Sequence, residues 1–136
     1  MVTASKTIAE QFLEKGFVKV EGVLDPATVL DPVIEEYHGV LDSLAADLFG
    51  AGEISSRFEE LPFDKRLIKI YQETGRAHSQ YFDFSLPFQN VQPDTPFWSG
   101  QAVLDAFTCD DLVDAVESII GPEVYSNPVQ HVRLKP

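Results

Sequence analysis

The residues with the most chemical promise lie near the C-terminus. From Val129 to Lys135 the side chains alternate between two sets, Val129/His131/Arg133/Lys135 and Gln130/Val132/Leu134. In a strand these sets point to opposite faces, so His131, Arg133 and Lys135 share one face. Three nitrogen-bearing side chains in a row suit an anionic ligand where that face lines a cavity. The same pattern also suits a solvent-facing edge strand, where lysine discourages pairing with another edge. The remaining histidines are His38 and His78, and none of the three has the spacing of a local metal motif. His78, Asp83 and His131 are the right types for a 2-His-1-carboxylate iron set, but nothing in the sequence brings them together. The neighbouring acids Asp110/Asp111, Glu35/Glu36 and Glu59/Glu60 read as solvated helix residues and caps. His38, next to Tyr37, reads as structural. Cys109 precedes a helix start, where a thiolate would be stabilised; the competing reading is a buried, inert thiol.

The elements that must position these groups are mostly helices. Thr7-x-x-Glu10 has the form of a capping box, with Ile8, Phe12 and Leu13 as the apolar stripe of a short helix ending at Gly16. Phe17 to Val23 alternates with period 2 and predicts a strand. Asp25-Pro26 and Asp31-Pro32 are two successive cap-plus-proline starts. Pro32 cannot sit inside a helix begun at Pro26, which predicts a short turn and then a main helix from Pro32 to about Phe49. Its expected core face is Val33, Ile34, Tyr37, Val40/Leu41, Leu44 and Leu48, and Gly50-Ala51-Gly52 ends it. Another helix follows Phe63-Asp64 and closes at Gly75. Gln80 to Leu86 is either a strand or an extended loop, and Gln89 to Ser99 an irregular connection. Helices are predicted over Gly100–Phe107 and Asp110–Ile120, the second stopped by Gly121-Pro122.

Composition sets outer limits. The 136 residues are one domain's worth of chain, with no internal repeat and no dividing linker. Ten Lys and Arg face 22 Asp and Glu, for a formal charge of −12. Such a surface repels nucleic acid and anionic membranes, so neither is expected as a partner. A single cysteine builds neither an internal disulfide nor a cysteine-rich metal site. No apolar run approaches a membrane span and the N-terminus lacks a secretory pattern, so the expected location is cytoplasmic.

Three stretches resemble the N-terminal part of the phytanoyl-CoA dioxygenase family: FLEKGFVKVEGVLDP at Phe12–Pro26, QYFDFSLP at Gln80–Pro87, and LVDAVESIIGPEVYSNPVQHVRLKP at Leu112–Pro136. The last is the most specific, joining a helix, a Gly-Pro stop and a strand in one run. The resemblance implies an α+β fold: a helical layer plus the first strands of a double-stranded β-helix, a cupin-like jelly roll, cut before the metal-binding strands. It implies that residues 1–136 are the N-terminal portion of a single domain whose intact parent is an iron(II)- and 2-oxoglutarate-dependent oxygenase acting on a small organic substrate. The family's His-x-Asp pair, second histidine ligand and keto-acid arginine are expected beyond this stretch. The chain by itself is therefore expected to be inactive, with no catalytic residue, no metal ligand and no cofactor of its own. By position, Gln130, His131, Arg133 and Lys135 fall where such enzymes line the 2-oxoglutarate or substrate pocket. Unpaired backbone of the terminal strand would favour self-association. The alternative function is a non-catalytic acidic binding or assembly module.

Overall fold

A computed structural model of the chain describes residues 7–127 and 130–134. Among these residues five α-helices carry the fold: α1 (Ile8–Lys15), α2 (Asp31–Gly50), α3 (Phe63–Thr74), α4 (Gln101–Thr108) and α5 (Asp110–Ile120). They divide between two compact units. The first holds the described residues of Met1–Pro32 and Gln101–Ser126, the second those of Val33–Gly100 and Asn127–Pro136.

In the first unit, α1 starts on the predicted capping box. The Thr7 hydroxyl accepts from the Glu10 N–H at 3.2 Å, and the Glu10 carboxylate accepts from the Thr7 N–H at 2.8 Å. Gly16 ends the helix in the left-handed conformation, at φ 76°. The two proline starts resolve as a π-helical turn, Pro26–Leu30, capped by Asp25, and α2 follows directly. The Asp25 carboxylate accepts from both the N–H and the hydroxyl of Thr28, each at 2.8 Å, and the N–H bond chiefly holds its pKa below the ordinary value. Apart from Val103 on α4, the described residues of this unit bury no large apolar side chain, and α1 and α5 bury none.

The second unit contains the core. α2 buries Tyr37, Val40, Leu41, Leu44, Ala45 and Leu48, an i, i+3/i+4 stripe facing inward. Leu67 and Ile70 of α3, with Ile54, Phe58 and Phe82, complete it; Leu41, Leu44, Ile70 and Phe82 are fully buried. Ile34, expected on the core face, is instead 54% exposed. It borders an apolar hollow of about 480 Å³ together with Tyr37, His38, Phe63 and Leu134. Arg66 is buried with its Nε–H on the Arg57 carbonyl and its guanidinium on Asp42.

The expected fold class needs correction. Among the described residues there is no strand and no sheet, so the first strands of a double-stranded β-helix are not seen. The physical reason is visible at both predicted strands. Phe17–Val23 alternates in sequence, but Val20 is exposed, and the backbone meets no ladder partner among the described residues and bends at Gly22, φ 73°. Alternation says which faces a strand would have; only a neighbouring strand supplies its hydrogen bonds. At the C-terminal stretch, residues 130–134 run without strand pairing, and Val129 and Lys135 lie outside the described residues. Gln80–Leu86 opens with a 3-10 turn at Ser79–Tyr81 and continues as a loop. No helix among the described residues is long and apolar enough to cross a membrane.

Candidate functional site

The second unit joins two segments far apart in sequence at one side chain, Asp83. Its backbone is fixed first. Phe82 is fully buried, and its carbonyl accepts from the Tyr37 hydroxyl at 2.9 Å, with the two rings 5.9 Å apart. The Asp83 carbonyl accepts from the Trp98 N–H at 2.8 Å. The indole N–H of Trp98 in turn donates to the Glu36 carboxylate on α2, at 2.8 Å. Gly100 makes this possible, since a Cβ there would lie 1.5 Å from Glu36 Oε1. The Gln80 side chain spans the loop, donating to the carbonyls of Ser85 at 2.8 Å and Pro96 at 3.0 Å.

Held this way, the Asp83 side chain is 5% exposed and grips the C-terminal stretch. Oδ1 accepts from the Val132 N–H at 2.8 Å, and Oδ2 lies 3.0 Å from His131 Nδ1. Arg133 Nη1 stands 3.8 Å from Oδ1. The Ser85 hydroxyl adds a bond to the Gln130 carbonyl at 3.2 Å. A buried carboxylate is costly unless it accepts such bonds, so this anchor is worth more than an exposed ion pair. Burial chiefly, with the charges of Asp83 and Glu36, pushes the Tyr37 phenol up to about 12.

The predicted site residues fare differently. His131 and Arg133 lie together on the outward face, with side chains 36% and 65% exposed, while Val132 and Leu134 are half-buried. Gln130 takes part through its backbone; its side-chain amide turns back to the Asn127 carbonyl. Lys135 lies outside the described residues. Of the three groups considered for iron, Asp83 and His131 meet, and His78 does not join them. The His78 Nε2 is 3.0 Å from the Thr74 hydroxyl, its ring packs against Tyr71, and burial first, then the Arg76 charge, lowers its pKa. His38 stands edge-on to Phe63, and the Cys109 thiol donates to the Ala106 carbonyl at 3.4 Å. Among the described residues no three His, Cys, Asp or Glu side chains gather in a way that could hold a metal ion.

Sequence reasoning missed the Asp83 anchor and its supports, Trp98, Glu36 and Gln80. Asp83 and Val132 are 49 positions apart, and no periodicity reports such a contact. The usable signal was a lone acid in an otherwise aromatic stretch, Tyr81 to Phe84, where a carboxylate needs a partner. Chemically, the site offers a guanidinium and an imidazole on a common face with a buried carboxylate behind them. No family model matches the chain, and no curated protein or solved structure matches it either.

Proposed function

We propose that the chain is the N-terminal portion of an iron(II)- and 2-oxoglutarate-dependent oxygenase resembling the phytanoyl-CoA dioxygenase family, with a small organic molecule as substrate. The observation that supports this reading is the Asp83 anchor, which joins QYFDFSLP at Gln80–Pro87 to residues 130–134 of the C-terminal stretch, both parts of the resemblance. Most of the five N–H donors of Arg133 have no partner among the described residues, which fits the carboxylate of a keto acid or substrate. The described residues do not fit an iron site, since their histidines and carboxylates do not converge in threes. In this reading, iron would be held by residues other than those described. These side chains would bind and orient the organic ligands. A cytoplasmic location belongs to the same proposal.

A non-catalytic assembly module is the second reading. It is favoured by the apolar side chains that the 86–97 loop leaves in solvent, above all Phe88 at 84% exposure. Expression of the gene's entire reading frame, assayed for substrate-coupled 2-oxoglutarate turnover, separates the two. The oxygenase reading expects turnover that Arg133→Met abolishes with a near-normal Tm. A frame encoding no His-x-Asp pair, or turnover untouched by Arg133→Met, overturns it.

A further inference from the structure

The Asp83–His131 contact constrains which proton the imidazole carries. An ionised carboxylate only accepts hydrogen bonds, and Asp83 Oδ1 already accepts from the Val132 N–H. The 3.0 Å contact between Oδ2 and Nδ1 is therefore a bond from an Nδ1–H. In a neutral imidazole the proton on one nitrogen leaves a lone pair on the other, and the partner of the first decides the chemistry of the second. Whenever the ring is neutral, the His131 Nε2 is therefore an acceptor on an exposed face. Two positions along, Arg133 offers only donors. We propose that Asp83 is a positioning residue that fixes His131 as an acceptor beside the Arg133 donor fork, so that the pair recognises a small hydroxy acid, with carboxylate to Arg133 and hydroxyl to His131.

The proposal rests on the reading above that this face meets a ligand, and it sharpens it. 2-Oxoglutarate carries only acceptor atoms at neutral pH, two carboxylates and a ketone. It offers nothing to a lone pair on Nε2. A keto acid can therefore engage Arg133, whereas His131 selects a group that donates, as a hydroxylated or amine-bearing substrate does. Glu36, the other carboxylate of this neighbourhood, is engaged with the Trp98 indole, leaving Asp83 as the acid paired with the imidazole.

The test uses the full 136-residue chain. Long-range proton–nitrogen NMR correlations at about pH 8, above the ordinary histidine range, report the His131 tautomer directly. The expected state is Nδ1–H. Asp83→Asn keeps an oxygen for the Val132 N–H and turns an NH2 toward Nδ1, so the proton is expected to move to Nε2. That switch tests the hydrogen bond, and the ligand titration separates a positioning role from a merely structural one. Titration with L-malate and with succinate, which differ by one hydroxyl, tests the ligand. Malate is expected to shift both the His131 and Arg133 side-chain resonances and to bind roughly tenfold more tightly, the worth of one added hydrogen bond. Succinate should shift Arg133 alone, and Asp83→Asn should erase the preference. An Nε2–H tautomer in the native chain, a tautomer unmoved by Asp83→Asn, or malate no better than succinate overturns the proposal. The oxygenase reading is judged by turnover and can fail while these results stand.

Discussion

The two units handle similar amphipathic helices in opposite ways. In the second, α2 and α3 press their apolar faces into a shared core whose largest fully buried side chains are Leu41, Leu44, Ile70 and Phe82. In the first, α1 and α5 are just as clearly two-faced, yet neither buries a side chain. An apolar hollow of about 470 Å³ remains there, bordered by Ile8, Val18, Val20, Leu112, Val116 and Ile119. That hollow is open to solvent and its lining side chains are only half-buried or exposed, so the first unit gains less from its apolar residues than their number suggests. The site sits in the well-packed unit, where loops can be held to a fixed geometry.

That contrast is open to direct measurement. Leu44→Ala in the core should cost ~2–5 kcal/mol, whereas Val116→Ala on half-buried α5 should cost no more than about 1.5 kcal/mol. Equal losses in denaturant titrations would erase the distinction. Gly100→Ala tests a tight point of the second unit, where the added methyl meets the Glu36 carboxylate and the Trp98 indole. Overpacking of this kind costs about 1–3 kcal/mol, and crystallography of the variant should show the Trp98–Glu36 bond broken. Thr7→Ala removes the capping box of α1 and should cost about 1 kcal/mol, seen as faster amide exchange confined to that helix.

The smallest effect concerns His78, whose folded pKa is depressed by burial. Its contribution to stability is full above the ordinary value of 6.5 and is lost as pH falls through the lowered folded value. His78→Gln should flatten the fall in Tm across that acid window and leave the alkaline side unchanged. Tyr37 works in the other direction. Its raised pKa favours the folded chain below about 10 and ceases to do so as pH rises toward about 12.

How far the sequence could be read follows from the range of each interaction. The capping box at Thr7, the proline-forced short turn that leads into α2 and the glycine stops at Gly16 and Gly75 are local chemistry, and all were legible. The α2 stripe was legible from Tyr37 to Leu48 but not at Val33, which is half-buried, or Ile34, which is exposed, because periodicity gives a face but not how far the opposing surface extends. The expected strands failed for the same reason: alternation at Phe17–Val23 describes one chain, and a sheet needs two. At the site, the shared face of His131 and Arg133 follows from their spacing. Asp83, Trp98 and Gln80 did not follow, because their bonds close loops that no local pattern reports.

The central claim is that Asp83 holds residues 131–133 in place. The amide of Val132 tests it most directly, because its hydrogen goes to Asp83 Oδ1 at 2.8 Å. Hydrogen exchange followed residue by residue should show this amide protected in the native chain. In Asp83→Ala the protection should vanish while the amides of α2 and α3 keep theirs. A Val132 amide that exchanges in the native chain as fast as in an unstructured peptide would contradict the account.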